Sequence, residues 1–370
     1  MSLAHHPLAQ RVGHTLGHGG KRLLGHGLDL IVSTPVNIPI DAVRDAQRVL
    51  IVRPNFRMGN TLIAAPLILA LRQRFPGARL DYLAGDTTAT LLAHLPVDTV
   101  HIVSRRFVAQ PWRFAALFAR LRQVHYDVAV EAGMGSFSGG LYTYLTGARY
   151  RVGCRGKADR FLNVRLPEVH TTHAYDTPPA FARLLGVSCP ARPLYAVSAA
   201  EQTAALALLA RMELADGSGP LPFIAMFVGG HQDKRWPTVQ WIELARSLGT
   251  LGARVMVFLG PEEAQRERQY RRELPPSVRV LPPQPLRLFA ALCGSARLMV
   301  TADSGPMHLA AAFGLPAIAV LQTEVSLPYA PRAPLDRVVV RPTAAEAVAA
   351  VVSHPVWIET ALATPANESR

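Results

Sequence analysis

Two rhythms of apolar and polar positions alternate along this chain. Short, almost unbroken apolar runs such as Arg48-Val49-Leu50-Ile51-Val52-Arg53 and Phe223-Ile224-Ala225-Met226-Phe227-Val228 suit strands buried on both faces. Between such runs apolar residues recur at helical spacing, as from Thr61 to Phe75, Trp112 to Val124 and Ala199 to Met212. In order, the first series predicts strands at 48–53, 79–83, 100–103 and 127–131, with helices near 61–75, 87–94 and 112–124; Pro76-Gly77 stops the first helix. The second predicts strands at 223–228, 254–259, 278–281, 298–301 and 317–321. Strands separated by helices argue for parallel sheets joined by right-handed crossovers. The expected fold is therefore α/β, with two Rossmann-like domains facing a central cleft.

A length of 370 residues exceeds what one hydrophobic core usually organises. The expected division is a mobile N-terminal extension over 1–47, a first domain over 48–195, a second over 196–355 and a tail over 356–370. Residues 190–195 carry two prolines and no periodicity, which suits a linker. The extension holds scattered histidines among glycines, and Lys21 to Ile31 has the pattern of a short basic amphipathic helix.

Chemistry concentrates where predicted strands run into helices. Thr301 to Pro316 reads strand, tight turn, helix, with Asp303-Ser304-Gly305-Pro306-Met307-His308 at the junction. The first N–H groups of a helix lack internal partners and favour an anion, Gly305 admits a ligand to the backbone, and Pro306 suits the first turn. The competing reading is that Asp303 or Ser304 only caps the helix. A second junction, Gly229-Gly230-His231-Gln232-Asp233-Lys234-Arg235-Trp236-Pro237, pairs glycine backbone with Lys234 and Arg235, a combination suited to a phosphate. There Trp236 is expected to anchor the loop and Thr238 to cap the following helix. In the first half, Gly59 and Asn60 lie at a turn of the same kind, and Glu131 ends a strand where open parallel sheets place ligand crevices.

Composition narrows the partners. The net charge is +13, which calls for an acidic one: a phosphorylated substrate, a nucleic acid or an anionic membrane face. No zinc-finger spacing, RNP-like motif or dense Lys/Arg helix supports nucleic acid. The three cysteines form no C-x-x-C or Cys/His ligand spacing, so neither a disulfide framework nor a structural metal site is expected, and a reducing cytoplasm fits. No apolar run approaches the length that spans a bilayer.

Taken together, Arg57-Met58-Gly59-Asn60, Asp233-Lys234-Arg235-Trp236-Pro237 and Asp303 to Ala311 resemble the signature stretches of glycosyltransferase family 9, the ADP-heptose:lipopolysaccharide heptosyltransferases. The resemblance runs from about Arg48 to about Thr343. It implies a GT-B fold and transfer, with inversion and without cofactor or required metal, of a heptose or related sugar. The donor would be a nucleotide diphosphate sugar and the acceptor a lipopolysaccharide core or related glycan, at the cytoplasmic face of the inner membrane, with peripheral contact there. Lys234 matches the family's lysine near the donor phosphates; Asp303, Gly305 and His308 match its donor-binding D-x-G-x-x-H positions; Glu262 resembles the acid that contacts the ribose.

One departure matters. In the family the first-turn glycine is typically followed by an aspartate proposed to deprotonate the acceptor, and this chain has Asn60. An amide is no general base at neutral pH. Three readings follow: another carboxylate, Glu131 or Asp86, serves as base; donor activation by Lys234 and the helix mouths carries the catalysis; or the chain binds a sugar nucleotide without turnover. A sugar-nucleotide epimerase of the same architecture is a further alternative, and a nicotinamide enzyme is disfavoured by the lack of G-x-G-x-x-G.

Overall fold

The computed structural model describes residues 34–107, 109–230 and 232–357. The first half contains β1 (Arg48–Val52), α1 (Met58–Ala64), α2 (Pro66–Arg74), β2 (Arg79–Gly85), β3 (Thr99–Val103), α3 (Pro111–Gln123), β4 (Val128–Glu131), α4 (Phe137–Leu145), β5 (Tyr150–Cys154), β6 (Val164–Leu166) and α5 (Thr177–Leu184). The second contains α6 (Ala199–Arg211), the two-residue pair β7 (Ala215–Asp216) and β8 (Gly219–Pro220), and β9 (Ile224–Phe227). It continues with α7 (Thr238–Thr250), β10 (Val255–Phe258), α8 (Glu267–Glu273), β11 (Val278–Leu281), α9 (Leu286–Gly294), β12 (Leu298–Ala302), α10 (Gly305–Phe313), β13 (Ala317–Leu321), β14 (Arg337–Val340) and α11 (Ala344–Val352).

Each half builds one six-stranded sheet, in the orders β3-β2-β1-β4-β5-β6 and β11-β10-β9-β12-β13-β14. All the pairings within these two sheets are parallel. The expected α/β fold with two Rossmann-like halves is what the chain adopts. In both sheets the chain order reverses beside the first strand, between β1 and β4 and between β9 and β12. Loops leaving the C-terminal ends of strands at such a switch diverge and leave a crevice. The four segments singled out in the sequence follow β1, β4, β9 and β12, so two facing switch points organise the molecule.

Apolar packing explains why the halves face each other closely. The strand interiors are fully buried: Val49 to Val52 in β1 and Met299 and Val300 in β12 have no exposed surface. A third cluster crosses between halves, where Leu62 of α1 and Leu91 pack with Tyr195, Phe258 and Leu309. Burying one leucine such as Leu62 contributes about 1.5–3 kcal/mol. Arg332 adds a two-pronged pair with Asp176, at 2.8 and 2.5 Å.

Several local expectations change. The helix expected over 61–75 is two, divided at Ala65, because Pro66 has no N–H to continue the ladder. Residues 87–94 yield only a short 3₁₀ turn at Ala89–Leu92. β5, β6 and β14 carry arginines among their apolar residues and escape a search for continuous apolar runs. Residues 34–47, grouped above with the mobile extension, are mostly exposed but anchored at points: Val43 and Ala46 are buried in the first core and the Ile38 N–H donates to Asn163 O at 2.7 Å. Trp357, at the start of the expected tail, packs in the second core. The histidine-rich segment, the basic amphipathic stretch near Lys21, His231 and residues 358–370 lie outside the described residues.

Candidate active site

The loop after β12 does not use its polar residues to cap α10. Ser304 occupies the cap position in extended backbone, yet its side chain makes no cap bond; its Oγ donates to Ala302 O at 3.2 Å. Asp303 turns the other way. Its Oδ2 lies 2.6 Å from Lys234 Nζ and accepts from Ser326 Oγ, while Lys234 Nζ also reaches Ser326 Oγ at 3.3 Å. The capping reading therefore fails: among the described residues no side chain caps the first turn of α10. Lys234 is more than a third exposed and Asp303 almost buried, so the cation points from a buried carboxylate toward solvent beside a helix N-terminus. Positive end and ammonium converge where an anion would be held.

Lys234 is placed by the loop after β9. A 3₁₀ turn over Gln232–Lys234 lifts it, and the indole of Trp236 anchors the loop by donating to Pro342 O at 2.9 Å while packing edge-on against Trp241. Thr238 does not cap α7; the cap position is Pro237, and Thr238 Oγ1 accepts from Arg266. Arg235, expected to face a phosphate, is engaged within the loop: its Nε donates to Gly230 O at 2.7 Å and its guanidinium pairs with Glu262. Glu262, expected at a ribose, is thereby exposed and tied to Arg235. Its neighbour Glu263 is better placed, because the Cα atoms of Gly229 and Gly260 both open onto it: a Cβ at either would stand 2.8 or 2.6 Å from Glu263 Oε2. Burial raises the Glu263 pKa, with Arg235 acting against it.

Met58, Gly59 and Asn60, expected in a turn before the helix, instead form the first turn of α1, and across the cleft this turn interlocks with α10. A Cβ at Gly59 would stand 2.8 Å from His308 Nε2 and closer still to its Cδ2; a Cβ at Gly305 would stand 2.7 Å from Met58 Sδ. Each glycine clears room for the other segment's side chain, which is why both motifs carry one. His308 is buried, and its Nδ1 lies 2.9 Å from the Tyr175 hydroxyl. Burial pushes its pKa down to about 4 against the pull of Asp303, so the imidazole is neutral at pH 7. Pro306 and Met307 are buried within α10.

Asn60, the next residue, lines a cavity of about 350 Å³ together with Arg53, Thr171, Thr172, Thr177 and Tyr329. Among the described residues no carboxylate lines that cavity. Glu131 is not presented to it. Its oxygens accept from Gly133 N at 2.7 Å, Gly135 N at 2.8 Å and Ser136 Oγ at 3.0 Å, and it has no exposed surface. Burial raises its pKa while those bonds oppose the rise. The reading of Glu131 as the acceptor's base is corrected on this ground: its lone pairs are spent on shaping the loop after β4. Asp86 likewise accepts from Ser104 Oγ and Arg105 N, at 3.0 and 2.9 Å. Ser326 and Tyr175 escaped the sequence reading because neither stands in a motif; Ser326 sits in a 3₁₀ segment and Tyr175 in a short turn.

Comparisons with known proteins agree with this layout. Residues 114–347 match the model of glycosyltransferase family 9 (heptosyltransferase), a span that holds Glu131, Lys234, Asp303 and His308 but not Asn60. The chain is 28% identical over 290 residues to lipopolysaccharide heptosyltransferase 1 of Escherichia coli K12, covering 74% of this chain and 87% of that protein. The lipopolysaccharide heptosyltransferase 1 of Pseudomonas aeruginosa is 26% identical over 290 residues, covering 74% and 78%. Among solved structures, E. coli heptosyltransferase WaaC with ADP-2-deoxy-2-fluoro heptose superposes with a TM-score of 0.65 at 25% identity, over 82% of this chain and 98% of that one. The E. coli ADP-heptose lps heptosyltransferase II shares the fold, with a TM-score of 0.67 at 21% identity over 85% and 99%.

Proposed function

We infer the reaction from one premise, that this chain belongs to glycosyltransferase family 9: it moves a heptose or related sugar from an ADP-heptose-like donor to a lipopolysaccharide core or related glycan. The observation that carries this reading is the cluster of Lys234, Asp303 and Ser326 beside the uncapped N-terminal turn of α10, which the interlocked glycines join to the turn of α1 that carries Asn60. The donor's diphosphate fits the helix mouth and Lys234, with the ribose toward Glu263 and the glycines at 229 and 260. The acceptor fits the cavity lined by Asn60 and Arg53.

Catalysis then rests mainly on the donor side. As the sugar–phosphate bond breaks, negative charge grows on the diphosphate, and a fixed cation and helix dipole stabilise charge that develops there. Because a cation already stands at this position, the reading needs no metal. Attack from the Asn60 side, opposite the diphosphate, inverts the sugar. The Asn60 carbonyl accepts a hydrogen bond from the attacking hydroxyl and orients it. With no carboxylate among the described residues lining that cavity, the proton of the attacking hydroxyl leaves to solvent water as the new glycosidic bond forms. The relatives named above support the lipopolysaccharide acceptor. Among the described residues no helix is long and apolar enough to cross a membrane, and the proposed site of action is the cytoplasmic face of the inner membrane, by peripheral contact.

The test is nucleotide release and glycan mass gain with a panel of ADP- and UDP-sugars and a lipid-linked acceptor. Transfer that requires acceptor supports the reading. Tight donor binding with no transfer would favour a silent binding protein, and sugar conversion without acceptor an epimerase.

A further inference from the structure

We propose that the face formed by β3, α3 and their connection is the surface through which this protein docks on an anionic lipid bilayer. From Asp98 to Asp127 the sequence has no acidic residue between those two, and it carries Arg105, Arg106, Arg113, Arg120 and Arg122. The fold gathers most of this charge on one side. β3 is the edge strand of the first sheet, and α3 buries Leu117, Phe118 and Leu121 inward while Arg113 and Arg120 stay exposed. No carboxylate pairs with Arg106, Arg113 or Arg120 among the described residues.

Among these cations stand large apolar side chains that the core does not take up. Trp112 is 65% exposed, Ile102 52% and Phe107 36%. Beneath them runs an apolar groove of about 460 Å³ between Ile102, Phe107, Phe114 and Leu117, with Arg113 and Arg120 also lining it. Phe107 packs on Phe114, which in turn meets Phe118 and Tyr142 in tilted ring contacts that tie the floor to the core. Arginines interleaved with an exposed tryptophan, isoleucine and phenylalanine match a bilayer interface, where guanidinium groups meet anionic headgroups and the indole settles at headgroup level. The patch abuts the proposed acceptor loop: the Arg105 guanidinium lies over the Phe56 ring, 5.1 Å from its centre, and donates to Phe56 O at 3.3 Å. Phe56 precedes Gly59 and Asn60, so a bilayer seated here presents a lipid-linked acceptor beside the Asn60 cavity.

This inference deepens the proposed membrane-side acceptor, and it is tested without donor or acceptor so that either can fail alone. The full-length protein is sedimented with phosphatidylcholine vesicles and with vesicles also containing phosphatidylglycerol. Binding is expected only to the anionic vesicles and should weaken with salt. Arg113→Ala with Arg120→Ala should lower the partition coefficient roughly thirtyfold, and Trp112→Ala should lower it at unchanged lipid charge. Because these side chains are exposed, the fold should survive, which an unchanged thermal melting curve verifies. Equal binding to neutral vesicles, or wild-type binding by the double variant, overturns the proposal. So does a Trp112-dependent dimer in sedimentation velocity with no vesicle binding, which would make the face an interface between copies.

Discussion

Gly59→Ala tests the interlock between the halves. The added methyl would stand 2.8 Å from His308 Nε2 and nearer to Cδ2, well inside ordinary van der Waals contact. His308 has nowhere to retreat, because it is buried, and its Nδ1 is fixed by the Tyr175 hydroxyl at 2.9 Å. Either α1 and α10 part or the ring is forced off its rotamer. Overpacking of this kind costs about 1–3 kcal/mol. If the cost falls on the contact between halves, the equilibrium constant for making that contact drops roughly five- to 150-fold. The assay is a urea denaturation series with isothermal titration of ADP. His308→Ala should relieve the clash, so the double variant should be far from additive, with a coupling above about 0.5 kcal/mol. If Gly59→Ala melts and binds like the wild type, or if the two substitutions simply add, the halves do not meet through this contact in solution.

Other expectations follow from charge and burial. Glu131→Gln should destabilise the loop after β4 by about 1–3 kcal/mol, since an amide N–H2 would confront a backbone donor; the pH–rate profile should keep its shape, and complete loss of turnover in a well-folded variant would restore Glu131 as base. Asn60→Asp places a carboxylate in a cavity that has none and should be tolerated or speed transfer, with a new loss of rate at acidic pH; a profile identical to the wild type would remove Asn60 from contact with the acceptor hydroxyl. Asp81 is buried, which raises its pKa, but hydrogen bonds from His101, Arg79 and Tyr126 outweigh burial and leave it at about 2. A depressed carboxylate stabilises the fold above its unfolded pKa and loses that contribution as pH falls toward 2, so Asp81→Asn should cost roughly 2 kcal/mol at pH 7. Urea midpoints of the two proteins should converge between pH 4 and pH 2; parallel curves would refute this.

Much of this was legible in the residues. The βα alternation gave the strands of both sheets whose apolar runs are nearly unbroken, but not β5, β6 and β14, whose arginines interrupt the pattern; Asp303, Gly305 and Lys234 stood out because glycine, cation and helix start coincide. What remained hidden depends on closure in three dimensions. Glu131 read as an available strand-end carboxylate until the loop after β4 folded back onto it. Gly133 and Gly139 permit that, because a Cβ at either would collide with its Oε1. Glu262 and Glu263 are adjacent in sequence and both face Arg235, and only the loop's turn leaves the first exposed while the second lies buried under two glycines. Ser326 comes to Asp303 from 23 residues away, a distance at which no local pattern speaks.

The central claim is that Lys234, drawn toward the cleft by Asp303 at 2.6 Å, stabilises a departing nucleoside diphosphate. Its most direct test is the initial rate of ADP release from ADP-heptose, with a lipopolysaccharide-core acceptor, for the wild type and Lys234→Ala. Loss of a charged hydrogen bond made to the leaving group should lower kcat/KM roughly ten- to 150-fold, with release dependent on acceptor in both proteins. A Lys234→Ala variant that folds and releases ADP at the wild-type rate would contradict the claim.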